Sequence, residues 1–236
     1  MPRTESAIRL ERVDAHRRKR LALEDVTFEI PAGTVTSVVG PNGGGKSTLL
    51  GLISGRLRPS RGRVEVEGEA AEVLQTTDID PQVPLTVEDV VRQGRYRARG
   101  LLRPMTKSDR RIVEESLERV DLIDHRRTPI HALSGGQRQR ALLAQGLAQK
   151  APILLLDEPT TGVDVPTRER LRSVIREVAD EGVTVVYATH SVREAAEAEL
   201  TVALCCACIC CAPTPEALAN PQVTEFLGIG PRPDRR

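Results

Sequence analysis

Nine residues, Gly40-Pro41-Asn42-Gly43-Gly44-Gly45-Lys46-Ser47-Thr48, hold the densest chemistry in this sequence. They follow an apolar run, Val35-Thr36-Ser37-Val38-Val39, and fit the spacing G-x-x-x-x-G-K-[ST]. Glycines at this spacing let the backbone curl until successive N–H groups face one anion. Lys46 can then reach β- and γ-phosphates, and the Ser47 hydroxyl can coordinate Mg²⁺. A helix beginning near Lys46 turns its positive end towards the same charge. The pattern predicts a nucleoside triphosphate seated between a strand and a helix.

Two further constellations fit that ligand. Ile153-Leu154-Leu155-Leu156 is an apolar strand ending in adjacent carboxylates, Asp157 and Glu158. Strand ends in parallel sheets open into the ligand crevice, so Asp157 can hold Mg²⁺ and Glu158 can orient or deprotonate an attacking water. Leu133-Ser134-Gly135-Gly136-Gln137 precedes a helical run, Arg138 to Lys150. Ser134 suits an N-cap, and the two glycines let an anion approach the helix start.

The elements that must position these residues alternate in type. Ile8 to Val13 and Val26 to Ile30 alternate as half-buried strands, the second stopping at Pro31-Ala32-Gly33. Leu49, Leu50, Leu52 and Ile53 continue a buried helix, and Val64 to Gly68 reads as an edge strand. From about residue 84 the texture is helical: Val87, Val90 and Val91 have helical spacing, and Thr106 to Asp109 resembles a capping box. This stretch is rich in arginines, which predicts either a solvated helical surface or a docking face for an acidic loop. Ala151 to Leu156 and Val183 to Ala188 are continuous apolar runs, as in strands buried on both faces of a parallel sheet. An amphipathic helix, Arg168 to Ala179, lies between them. Strands alternating with helices predict an α/β nucleotide-binding core.

Composition narrows the partners. The 236 residues suffice for one large domain, and 34 Lys+Arg against 33 Asp+Glu give no sign of nucleic-acid binding. No Trp, two Tyr and two Phe leave no stacking platform for single strands. The longest apolar run, Val202 to Ala212, is too short to span a bilayer, and no cationic-apolar leader is visible, so a cytosolic protein is expected. All five cysteines fall between Cys205 and Cys211, which suits a reducing compartment better than a disulfide framework.

With these motifs in this order, the chain resembles the ATP-binding subunit of ABC transporters nearly end to end. Gly40 to Thr48 matches that family's Walker A loop, Leu133 to Gln137 its signature motif and Ile153 to Glu158 its Walker B strand. Gln75 looks like the glutamine loop that contacts Mg²⁺ and water and senses the permease; Thr161 to Asp164 looks like the D-loop, and His190 like the switch histidine on the γ-phosphate. The resemblance implies a P-loop core (residues 1–75 and 151–236), a mostly parallel sheet flanked by helices with an antiparallel N-terminal β part, and an inserted helical subdomain (76–150). It implies ATP and Mg²⁺ as cofactors and catalytic roles for Lys46, Gln75, Glu158 and His190. It also implies a second copy closing an ATP sandwich, integral-membrane permease subunits, an extracytoplasmic solute-binding protein, and a place on the cytoplasmic face of the membrane.

Two stretches depart from the family pattern. Relatives place an aromatic ring on the adenine where this chain has Asp14-Ala15-His16-Arg17, leaving His16 or Arg17 to stack on the base. Leu204 to Cys211 falls where relatives have two short strands. If extended, Cys206, Cys208 and Cys210 share one face and Cys205 and Cys211 the other. Small apolar packing residues are expected there, with a thiolate site for a soft ion such as Cu(I) as the alternative. Pro84 to Val91 followed by Gly94-Arg95-Tyr96 resembles the importers of metals and metal chelates, and Thr161-Gly162-Val163-Asp164 leans towards the zinc and manganese group. Iron-siderophore import, or a soluble ATPase of the same fold, is the alternative.

Overall fold

The computed structural model describes residues 6–17, 20–73, 84–100 and 103–227. Three strands, β1 (Ser6–Arg17), β2 (Arg20–Pro31) and β4 (Arg61–Val66), form an antiparallel sheet in the order β2-β1-β4. The second sheet has six strands, β5-β6-β7-β3-β8-β9, made of β3 (Val35–Val39), β5 (Ala70–Val73), β6 (Ile153–Asp157), β7 (Thr184–Thr189), β8 (Leu200–Cys205) and β9 (Ala207–Pro213). All its pairings are parallel except β8 with β9. Short β5 was not legible beforehand: Ala70-Ala71-Glu72-Val73 is too short to show a period, and it gains its place only by parallel pairing with β6.

Alternation along each strand sorts side chains into two cores. On β6, Ile153 and Leu155 face the antiparallel sheet, where Ile8, Leu10, Val26 and Ile30 meet helix α1 (Lys46–Ile53). Leu49, Leu50, Leu52 and Ile53 are buried there, so α1 beyond its polar first turn is apolar all round, as a helix enclosed between sheets must be. Leu154 and Leu156 face the opposite way, onto helices α2 (Val87–Arg99), α3 (Lys107–Arg119), α4 (Gly135–Leu147) and α5 (Val165–Asp180). The short helices α6 (Val192–Ala195), α7 (Thr214–Ala219) and α8 (Pro221–Phe226) complete the chain; Val223 of α8 joins Val39, Ala195 and Ala203 in a third, smaller cluster.

Helix starts follow their caps. Thr86 and Thr106 each form a capping box, with Asp89 and Asp109 respectively, opening α2 and α3. Helices α4 and α5 begin three residues ahead of the apolar periodicity, at Gly135 and Val165, because Ser134 and Asp164 accept from the amides of Gln137 and Thr167.

Arg95 departs from the solvated-surface expectation. Its Nε lies 3.0 Å from Asp109 Oδ1, and its Nη1 donates to the Ala148 carbonyl at 2.8 Å, tying α2 and α3 to the end of α4. Arg92, by contrast, forms a half-exposed pair with Glu88.

The cysteine hairpin also differs from the simple alternation. Leu204 pairs with Cys208 while Ala203 pairs with Cys210, so Ile209 is an extra residue in β9. That bulge shifts the faces: Cys208 and Cys211 pack on the core between the sheets, and Cys210 with Ile209 packs on the third cluster. Burial pushes the Cys208 thiol up to about 12 and the Cys211 thiol up to about 11. Among the described residues no group of three His, Cys, Asp or Glu side chains could hold a metal ion. Protonated packing thiols account for this hairpin better than a thiolate site.

Candidate nucleotide site

The loop leaving β3 closes round its own lysine. Lys46 is buried, and its Nζ donates to the carbonyls of Gly40 at 2.8 Å and Pro41 at 3.2 Å. Gly45, at φ +100°, is the N-cap of α1, and the amide of Leu49 donates to its carbonyl. A side chain there would be strained and would also meet Leu23. Burial holds the Lys46 ammonium below the ordinary lysine range, against the partly offsetting charges of Glu158 and Asp157.

The C-terminal end of β8 lies against this loop. A Cβ on Gly40 would run into the Leu204 carbonyl. At the hairpin tip the Cys206 amide donates to Gly44 O at 3.2 Å, while Cys206 O accepts from the Glu24 amide at 2.8 Å. Cys206 takes the left-handed conformation, φ +64°, to make both contacts. Nothing in the cysteine pattern alone announces this clasp, because backbone groups make it.

Parallel pairing brings the acids to the loop. Asp157 ends β6, and Glu158 follows with φ +50°, a strained value for a residue with a Cβ. Its amide donates to Ala188 O at 3.1 Å, its Oε2 accepts from Thr161 Oγ1 at 3.0 Å, and its Oε1 lies 3.5 Å from His190 Nδ1. Thr161 opens the stretch that resembles the D-loop, and its spacing of three residues from Glu158 is the signal in the sequence that the two side chains can meet. Glu158 shares a cavity of about 770 Å³ with Asn42, Gly43, Gly45, Lys46, Ser47 and Thr48 of the loop. Gly40, Pro41 and Gly44 form the loop's backbone floor instead.

A second group of candidate residues gathers at the start of α4. Ser134 and Gln137 satisfy each other's backbone amides. A Cβ on Gly136 would lie 2.6 Å from Thr167 Oγ1, whereas one on Gly135 would meet nothing within 4 Å. Thr167 also bonds Asp164, whose carboxylate it holds below the usual range. Ser134, Gly135, Gly136, Gln137 and Asp164 thus form one surface, and none of them lines the cavity of the phosphate loop. Gln75 lies outside the described residues.

The donor set suits a hard divalent cation: the Ser47 hydroxyl lines the cavity, and Asp157 is near enough to act on the Lys46 charge. A phosphate loop joining a central strand to a helix, with two carboxylates on a nearby parallel strand, defines a P-loop nucleotide-binding domain.

The chain belongs to the ABC transporter family, whose model matches residues 23–161, and it is an ATPase of that family. It is 45% identical over 181 residues to the manganese transport system ATP-binding protein MntA of Synechocystis, covering 72% of this chain and 70% of that protein. It is 42% identical over 180 residues to the chelated iron transport system membrane protein YfeB of Yersinia pestis, covering 72% of this chain and 61% of that one. A solved ABC transporter structure described as of metal-chelate type, in an inward-facing conformation, superposes with a TM-score of 0.87 at 27% identity, covering 95% of this chain and 90% of that chain.

Proposed function

We propose that this chain powers the import of a transition metal ion, manganese or zinc, through separate membrane permease subunits fed by an extracytoplasmic solute-binding protein. The observation that carries this reading is the 45% identity to a manganese transport ATP-binding protein. Import of a chelated iron species is the second reading, favoured by the likeness to YfeB. Among the described residues no helix is long and apolar enough to cross a membrane, in keeping with a subunit held at the cytoplasmic face by its permease.

In this reading residues 1–75 and 151–236 form the nucleotide core, and 76–150 the helical part that meets the permease. Two copies face each other head to tail, each ATP lying between one phosphate loop and the other copy's Ser134-Gly135-Gly136. The clear space at Gly135 and the 13-residue helix behind it support an anion contact there. Mg²⁺, held by Ser47, Asp157 and Gln75, would neutralise the β- and γ-phosphates. Lys46 exchanges its loop carbonyls for phosphate oxygens. Glu158 takes the proton of the attacking water as its oxygen bonds the γ-phosphorus and ADP departs, with His190 holding the γ-phosphate.

The test is elemental analysis of cells carrying Lys46→Ala at the native locus, grown on limiting metals. A selective fall in manganese or zinc names the ion. A fall in iron alone moves the chelate reading ahead, and unchanged metal content in cells without redundant importers removes metals altogether.

A further inference from the structure

Strand β7 ends at Thr189, and His190 stands between it and Ser191, the N-cap of α6. The imidazole is 59% exposed, so packing does little to hold it and its backbone must set its direction. One carboxylate frames that backbone. Glu194 Oε2 accepts from Thr189 Oγ1 at 2.6 Å, the short length of a hydroxyl bonded to a charged acceptor. The same Thr189 oxygen accepts from the Ser191 amide at 3.0 Å. Ser191 Oγ in turn accepts from the Glu194 amide, capping α6, and Tyr187 Oη donates to the Glu194 carbonyl at 2.6 Å. Thr189 is 1% exposed and Tyr187 6%, so the frame is anchored in the sheet while its histidine stays exposed.

We propose that Glu194 is a positioning residue for ATP hydrolysis, setting His190 through Thr189 and Ser191. The inference rests on the reading of His190 as the group that holds the γ-phosphate. A threonine hydroxyl has one proton to give and two lone pairs. Glu194 takes the proton, which turns a lone pair of the Thr189 oxygen towards the Ser191 N–H. These two bonds span His190 and fix the peptide on its C-terminal side. The register of β7 against β6 fixes the strand on its N-terminal side. Without the carboxylate the hydroxyl rotates freely, the Ser191 amide loses its oriented acceptor, and the imidazole drifts from the γ-phosphate. Neither Glu194 nor Thr189 lines the cavity of the phosphate loop. Loss of the frame therefore acts on the chemical step and leaves ATP binding by Lys46 and its loop intact.

The experiment is a double-mutant cycle in steady-state ATP hydrolysis by the full-length chain, with the melting temperature measured on every variant. Glu194→Ala and Thr189→Val should each lower kcat about tenfold or more and leave KM for ATP unchanged, because small misplacements of a reacting group cost that much. Glu194→Gln keeps an acceptor oxygen and Thr189→Ser keeps the hydroxyl, so both should retain most of the activity. In a His190→Ala background, Glu194→Ala should cost nothing further, because the group it positions is gone. Equal losses in both backgrounds overturn the proposal. So does a loss that follows the melting temperature or a raised KM, which assigns Glu194 to the fold alone. If Glu194→Ala unfolds the chain, Thr189→Val, of nearly the same shape, carries the cycle. His190→Ala separates the two readings: if it slows turnover while Glu194→Ala and Thr189→Val do not, only the positioning role fails. If it leaves turnover unchanged, the reading of His190 falls and this one with it.

Discussion

His190 Nδ1 stands 3.5 Å from Glu158 Oε1, across the ends of the neighbouring parallel strands β6 and β7. The register Asp157↔Ala188 fixes that approach, since each residue lies one or two positions past the pair. Thr161 holds the other carboxylate oxygen, so Glu158 is aimed by two partners and by a strained backbone.

From this aim we expect Glu158→Gln to keep ATP and lose turnover by about 10²-fold or more, the usual worth of a positioned base. The amide oxygen can still accept from Thr161. Phosphate release and gel filtration with ATP check it: a stable dimer without hydrolysis is the expected pairing. Normal turnover would remove Glu158 from its role.

Lys46 gives a pH signature with two opposite signs. Burial holds its folded-state value below the ordinary 10.5. As pH rises from that lowered value towards 10.5, the folded chain has lost a proton that the unfolded chain keeps, so its stability should rise. Over the same window ATP affinity should fall, because the ammonium that meets the phosphates is neutralised. Urea unfolding and ATP titration at stepped pH read the two trends, and Lys46→Met should flatten both.

The Arg95–Asp109 pair should behave as a structural joint. Its side chains are 11% and 3% exposed, and Asp109 also accepts from the Thr106 amide and hydroxyl. Asp109→Ala is expected to cost about 3–5 kcal/mol in urea denaturation, leaving a buried guanidinium without its counter-charge. Arg92→Ala, on the half-exposed pair with Glu88, should cost less than about 1 kcal/mol.

Gly135 and Gly136 separate packing from ligand approach. Gly136→Ala forces a methyl against Thr167 Oγ1, at a cost of about 1–3 kcal/mol. Gly135→Ala meets open space, and alanine in a helix should be neutral or slightly stabilising. If Gly135 faces the other copy's nucleotide, that variant keeps its melting temperature and loses ATPase activity.

Thiol labelling under native conditions should divide the five cysteines. Cys205 and Cys206 are exposed, whereas burial raises the thiols of Cys208, Cys210 and Cys211. Two fast labels and three slow ones, with no metal bound to the intact protein by mass spectrometry, is the expected result.

Much of the site was legible because its chemistry is local in sequence. Gly40 to Thr48 carries its own turn geometry, and Ile153 to Glu158 carries both the buried strand and its acids. What escaped depends on partners distant in the chain. β5 exists only through β6, the bulge at Ile209 only through the register against β8, and the burial of Arg95 only through the meeting of α2, α3 and α4. Of the two residues offered for the base, Arg17 lines the phosphate-loop cavity and His16 does not; Arg20 and Leu21 join it there only because β1 and β2 meet at the loop.

The position of β3 has a consequence for how this protein is made. The strand that launches the phosphate loop has β7 and β8 as its two neighbours, and the loop is clasped by Cys206. A ribosome delivers β3 long before it delivers either neighbour. During synthesis the most recognisable motif in the chain waits, without its sheet, for residues 184–206 to emerge. A chain halted before Thr184 should therefore bind no nucleotide, although every residue from Gly40 to Thr48 is already in place.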